Sequence, residues 1–278
     1  MKWRRIIAIV QKDLIEVREN KSIWAPMIIV PAIFILGFPL AFLLGPPRVD
    51  GMLSSMNSST SGLNLFIEHM PVSMSNMLVG LTPFQSLITL ILGFIFAPMF
   101  LIFPLLFSTI IASESFAGEY ERKTVEALLY TPATDQELFM GKVATALIPS
   151  LSISWLSFLA YTLVLDIAGY PIFGRIWFPF PSWYALIFWI TPALAVLGIS
   201  TTVLISARTR TFMGTYQASA SLVVLVLGLV VGQISGVLYL DVPSGLLVGL
   251  VAWIAAGVVT FIAVKSFNRA RLLTGLKL

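Results

Sequence analysis

The run FQSLITLILGFIFAPMFLIFPLLFSTIIAS, from Phe84 to Ser113, decides the architecture, because it contains no charged residue. A helix rising about 1.5 Å per residue needs roughly 20 apolar residues to cross the ~30 Å hydrocarbon core of a bilayer. This run is long enough to cross and still tilt or protrude. Five further stretches qualify by the same rule. One runs from Ile23 to Leu44 and is closed by Gly45-Pro46-Pro47; others run from Val143 to Leu165 and from Trp183 to Ser206. The block from Gly214 to Val264 is too long for one crossing and is broken by Asp241-Val242-Pro243-Ser244-Gly245. It divides into a fifth span, Thr215–Leu240, and a sixth, Ser244–Val264. Gly232, Gln233, Ser235 and Gly236 make the end of span five polar, so a short re-entrant element before Asp241 is an alternative there. The expected fold is all-α: a polytopic membrane protein with six transmembrane helices in one transmembrane domain over residues 1–278.

Composition agrees with that solvent. Of 278 residues, 58% are hydrophobic and 11% charged, and the mean hydropathy is +0.95. Soluble domains carry about a quarter charged residues, so a soluble enzyme, a disordered chain and a free nucleic-acid-binding module are excluded. Cysteine is absent and His69 is the one histidine, which leaves no thiolate or multi-histidine metal site and no cysteine nucleophile. No catalytic and no metal-ligating residues are expected.

The cations are sorted by side. Fifteen of the 17 Lys and Arg fall before span one, between spans two and three, between spans four and five, or after span six; Arg48 and Arg175 are the exceptions. The positive-inside rule then places both termini in the cytoplasm, and the pI near 9.4 is a topology signal needing no nucleic-acid partner. Residues 1–22 do not read as a removable signal peptide, since the charged region is long and no small-residue cleavage pattern follows. Instead Ile6, Ile7, Val10, Leu14 and Val17 share a helical face, with Arg4, Arg5, Gln11, Lys12, Arg18 and Glu19 largely off it. That pattern suits an amphipathic helix lying in the interface; the plainer alternative is a charged flank that fixes topology. On the outside, residues 45–83 form a Ser/Asn-rich loop, and Trp177, Phe178, Phe180 and Trp183 read as an aromatic belt at the lipid surface.

The most elaborate connection is residues 114–142, which hold six of the thirteen acids: Glu114, Glu119, Glu121, Glu126, Asp135 and Glu137. Val125, Leu128 and Leu129 share a helical face there. Thr131-Pro132 stops that helix, because a residue before proline is pushed out of helical geometry. Thr134-Asp135-Gln136-Glu137 has the spacing of a capping box and restarts a helix into span three. The sequence thus predicts a short amphipathic helix, a stop and a restart.

The run Phe116-Ala117-Gly118-Glu119-Tyr120-Glu121-Arg122-Lys123-Thr124-Val125-Glu126-Ala127-Leu128-Leu129-Tyr130-Thr131-Pro132, with Glu137-Leu138 and Gly141-Lys142 after it, resembles the cytoplasmic signature of type-2 ABC transporter permeases. That pattern reads approximately G-E-x-E-x-G-T-x-E-x-L-L-x-x-P, then E-L and G-K; this chain departs from it at Lys123, where the family usually has Gly. The resemblance implies a membrane subunit that pairs with itself or with a sister permease and binds two cytoplasmic ABC ATPase subunits. It makes 114–142 a coupling hairpin seated in an ATPase groove. Glu119, Glu121, Arg122, Thr124, Glu126, Leu128, Leu129 and Pro132 become the contacting or shaping positions. No G-x-x-x-x-G-K-[ST] phosphate loop occurs, since Gly141-Lys142 runs on into Val143. ATP and Mg are therefore expected on the partner ATPase, with no cofactor in this chain.

Inside the bilayer, ionisable residues are nearly missing from the span centres, which disfavours a proton-coupled carrier and an intramembrane protease. Gln85, Thr89, Tyr216, Gln217, Ser219 and Gln233 are uncharged polar residues on spans two and five, which border the translocation cavity in the resembled family. They are the candidate path, with helix-to-helix hydrogen bonding as the competing role. Gly228, Gly232 and Gly236 in span five, and Gly245 and Gly249 in span six, have the four-residue spacing of close helix packing, within one chain or between subunits. Pro98, Pro104, Pro149 and Pro192 are expected to kink spans two, three and four. The expected function is the permease subunit of an ATP-driven exporter working by alternating access, in the plasma membrane of a prokaryote. The rival is an ATP-independent channel or secondary carrier.

Overall fold

The computed structural model describes residues 3–44, 70–122, 133–209 and 211–266, with only the backbone of Ser22 and Ser73. Among the described residues there are helices and turns and no strand. Six of the helices are long and apolar enough to cross a membrane: Ile23–Leu43, Pro83–Glu121, Asp135–Phe173, Pro181–Thr209, Phe212–Ile234 and Val242–Ser266, here spans one to six. An amphipathic N-terminal helix, Trp3–Glu19, precedes them. Spans two and four are largely enclosed by protein, while spans one, five and six expose most of their apolar surface.

Spans two and three are the ones whose lengths the apolar pattern underestimates. Span two continues past Ser113 to Glu121, and span three begins at Asp135 rather than at Val143. Charge ends an apolar run but does not end a helix, because Glu, Arg and Lys are good helix formers. Thr134 caps span three as its spacing predicts: its hydroxyl accepts from the Glu137 N–H (3.2 Å), and the Glu137 carboxylate accepts from the Thr134 N–H (3.1 Å).

The prolines act through wider turns. π-helical stretches precede Pro39 (Ile33–Gly37), Pro98 (Thr89–Ile95) and Pro192 (Leu186–Ile190). A proline ring crowds the carbonyl one turn earlier and donates no hydrogen bond, and a π-turn absorbs that mismatch. The helix of span two is also interrupted at Phe100–Leu101, between Pro98 and Pro104. Span three, in contrast, runs unbroken through Pro149.

Three expectations change at the far end of the bundle from the 114–142 connection. Residues 235–241 contain no helix: span five stops at Ile234 and the chain turns at Gly236, whose φ is +74°. The Val237 and Leu238 N–H groups both donate to the Gly232 carbonyl, at 3.0 and 2.9 Å. Gly228, Gly232 and Gly236 therefore form no single stripe, since Gly236 lies beyond the helix and a Cβ on Gly228 would meet nothing within 4 Å. Span six does pack as its glycines suggest, for a Cβ on Gly249 would lie 2.2 Å from the Trp189 ring of span four. Lastly, the aromatic segment folds inward instead of forming a lipid-facing belt. Trp183 and Phe178 are 0% and 2% exposed, and Trp177 stacks on Phe173 at 4.4 Å. Asp166 draws the segment in by accepting from the Trp177 and Phe178 N–H groups, both at 3.2 Å.

Candidate functional site

Span two is gripped at two places, one polar and uncharged, the other ionic. The first is its π-helical stretch. Tyr161 of span three donates its hydroxyl to the Leu92 carbonyl at 2.8 Å. Trp183 of span four donates its indole N–H to the Gly93 carbonyl at 2.7 Å, and Gln233 of span five donates its amide to the Phe94 carbonyl at 2.6 Å. Three consecutive carbonyls of span two thus receive donors from three different spans. Phe100 and Tyr161 pack on Trp183, with ring centroids 5.4 Å away in each case.

The second place lies where span two approaches the 114–142 connection. Lys142, 2% exposed, reaches out from the start of span three toward two buried carboxylates. Its Nζ lies 2.8 Å from Glu119 Oε2 on span two and 3.6 Å from Asp13 Oδ2 on the N-terminal helix, and it also donates to the Ser115 carbonyl. The Ser115 hydroxyl donates to Asp13 at 3.0 Å. Lys12 extends the cluster to Glu119 and Asp13 (both 3.4 Å) and to Glu16 (3.1 Å). Arg122 binds Glu114, and the Asn20 amide donates to the same carboxylate at 3.3 Å. Beside these, Arg5 lies 3.5 Å from Glu137. The N-terminal helix sits tightly on span three, because a Cβ on Gly141 would come within 2.8 Å of Ile9 Cγ2.

This electrostatic environment keeps Lys12 and Arg122 charged. Burial alone would lower the Lys12 pKa, but Asp13, Glu119 and Glu16 outweigh it and raise the value. The hydrogen bond to Glu114 raises that of Arg122 against opposing burial. Carboxylate oxygens of Asp13, Glu16 and Glu119 lie within 4.8 Å of one another. Lys12 pairs with all three and Lys142 with Asp13 and Glu119, so the chemistry is that of an ion-pair cluster rather than a cation site. Next to it is a cavity of about 220 Å³ lined by Asn20, Glu114, Gly118, Glu121, Arg122 and Phe212. Across it the Glu121 carboxylate accepts from the Phe212 N–H at 2.8 Å, at the first turn of span five.

The residues singled out in the sequence distribute unevenly over this frame. Glu119 is 4% exposed and faces the cluster rather than an outer surface, because Lys142 and the N-terminal helix cover it. Glu121 and Arg122 remain exposed. Thr124, Glu126, Leu128, Leu129 and Pro132 lie outside the described residues. Gln85 caps span two together with Thr82 and donates to the Ile172 carbonyl at 2.8 Å. Thr89 and Gln233 are buried; the Thr89 hydroxyl and Gln233 Oε1 have no hydrogen-bond partner. Tyr216 stacks on Phe212, and Gln217 is exposed, at the opposite end of span five from Gln233. The path candidates are therefore not one cluster, since Tyr216 and Gln233 are about 25 Å apart along a helix rising 1.5 Å per residue. Sequence reasoning passed over Asp13, Lys142, Tyr161 and Trp183 as anchors. Asp13 carried a readable signal, because it shares its helical face with Ile6 and Val17.

A family model described as ABC-2 family transporter protein matches residues 7–245. The chain belongs to that family. The match starts within the N-terminal helix and ends in the first turn of span six, so it takes in both anchoring places of span two. No curated protein and no solved structure matches the chain. As an ABC-2 family transporter protein, it is a multi-pass permease, the membrane subunit of an ABC transporter and not its ATPase, and it works with ABC ATPase subunits in a membrane complex.

Proposed function

We propose that this permease is the membrane half of an exporter that works by alternating access. Two separate ATPase subunits bind ATP and Mg and drive it, and a second copy of the chain or a sister permease completes the complex. In this reading both termini and the 114–142 hairpin are cytoplasmic, and the membrane is the plasma membrane of a prokaryote. One observation carries the mechanism: both stems of the hairpin are helical continuations of spans two and three, the first through a π-helical stretch at Glu114–Gly118, and they are fastened together at their base by Glu119 and Lys142. Force applied at the hairpin then reaches the spans with little loss in a flexible linker.

Glu121 and Arg122, with Thr124, Glu126, Leu128, Leu129 and Pro132 beyond them, are the surface offered to the ATPase groove, and Glu119 supports it from behind. Spans two and five border the path. Buried polar atoms without partners on those spans, at Thr89, Thr215, Ser219 and Gln233, support that placement, since they are groups a polar substrate or water can satisfy. Gln85, Tyr216 and Gln217 extend the path toward its two ends. The test is to purify the tagged chain from its membrane and measure the ATPase that accompanies it. The expected result is copurification that Glu121→Lys with Glu126→Lys weakens at least tenfold. Equal copurification and equal ATP hydrolysis in the double variant would remove the hairpin from the interface. Ion currents from the chain alone in bilayers would favour the channel reading.

A further inference from the structure

The N-terminal helix touches the transport machinery through one buried cation. Lys142 pairs with Glu119 on the stem of span two and with Asp13 on the N-terminal helix, and Ser115 bridges to the same Asp13. The contact is enclosed: Lys142, Glu119 and Asp13 are 2%, 4% and 3% exposed. It is also close in backbone terms, with Gly141 directly beneath Ile9. Removing a buried partner leaves the others uncompensated, so such a cluster resists sliding and favours moving as a unit. Arg5 with Glu137, Lys12 with Glu119, and Arg122 with Glu16 at 4.0 Å join the same three elements around its edge.

We propose that Lys142 is a positioning residue that fastens the N-terminal helix to the base of the hairpin, so that this helix, the end of span two and the start of span three turn as one body when the ATPase binds nucleotide. The fastening itself stands on the geometry, while its role in the cycle rests on the ATP-driven reading above. The helix then has a mechanical task beyond setting topology: it carries hairpin motion out to the membrane surface along the apolar side chains of Trp3, Ile7 and Ile15, all well exposed.

The chain contains no cysteine, so pairs of spin labels can be placed without background. Gln11→Cys and Met140→Cys put labels on exposed positions of the N-terminal helix and of span three; Met213→Cys puts a reference on span five. In nanodiscs, the chain alone is expected to give a narrow 11–140 distance distribution. In the complex with a cysteine-free ATPase partner, that distance should stay within about 2 Å on vanadate trapping with ATP, far below a one-turn helix shift of roughly 5 Å, while 140–213 changes. The variant Glu119→Met with Lys142→Met removes one charge of each sign, and its 11–140 distribution is expected to broaden about twofold.

A nucleotide-dependent shift of 11–140 in the parent would overturn the single-body proposal, as would a 140–213 distance that never changes. A double variant with a parent-like narrow distribution would overturn the role of Lys142. A double variant that fails to fold would assign the pair to stability alone and overturn the positioning role. If no ATPase copurifies, the transporter reading fails, and the nanodisc measurement still decides the fastening.

Discussion

The two grips on span two use different chemistry, and the difference follows their surroundings. At Leu92–Phe94 the donors are a phenol, an indole and an amide, aimed at backbone carbonyls. At Glu114–Arg122 they are ammonium and guanidinium groups aimed at carboxylates. Among apolar side chains, neutral donors satisfy carbonyls without taking a net charge out of water, whereas buried ions carry a desolvation cost of several kcal/mol each. Near the end of a span, Lys12 and Arg122 keep part of their surface open, so the ionic solution becomes affordable. Neutral bonds hold the end of the bundle far from the 114–142 connection; charge holds the end at that connection.

Substitutions that remove one side of each grip would break or sharpen this contrast. Lys142→Met should have the largest effect, about 3–5 kcal/mol of destabilisation, because it removes the buried cation between two buried carboxylates and leaves them the half-exposed Lys12. Thermal melting in nanodiscs reads it, and adding Glu119→Met should restore most of the loss; equal melting of single and double variants would show that charge pairing is not what holds this end. Trp183→Phe comes next, at about 1–3 kcal/mol, because it strands the Gly93 carbonyl in an enclosed site. Gln233→Met should cost only about 0.6 kcal/mol by the same assay, near the average for hydrogen bonds between membrane helices. The Gln233 Oε1 already lacks a partner, which offsets the lost donor. A larger cost for Gln233 than for Trp183 would reverse the order of the neutral grip.

Thr134→Ala belongs at about 1 kcal/mol, the usual worth of an N-cap, and hydrogen exchange should show fraying confined to the first turn of span three. Uniform exchange along that span would contradict a local cap. The smallest effect concerns pH. The folded-state pKa of Lys12 is raised above its ordinary value of 10.5, so its stabilisation is fully present below that value and is lost only as pH rises through the higher folded value. The melting difference between the parent and Lys12→Met should therefore stay flat from about pH 6 to pH 9. A slope across that range would place another titrating group in control of the cluster.

Length and apolarity made the six spans legible in the sequence, and the Thr134 spacing made the start of span three legible. The direction in which charges face was not. Glu119 and Glu121 are two residues apart, and only the position of the N-terminal helix decides that one is covered and the other open. The run from Trp177 to Trp183 was ambiguous for a related reason. Tryptophan suits both a lipid interface and a packed core with a carbonyl within reach, and the carbonyl of Gly93 is supplied by a distant span. The four-residue spacing of Gly228, Gly232 and Gly236 presumes one helix through all three, whereas the helix ends at Ile234 and leaves Gly236 in the turn after it.

The carbonyls of Leu92, Gly93 and Phe94 also set a timetable for biogenesis. Synthesis delivers span two to the membrane before any of its donors exist. Tyr161 arrives with span three, Trp183 with span four and Gln233 with span five, in the order of the carbonyls they bind. No bond can close before its donor has been made, so span two, among the first helices inserted, is among the last to be completed.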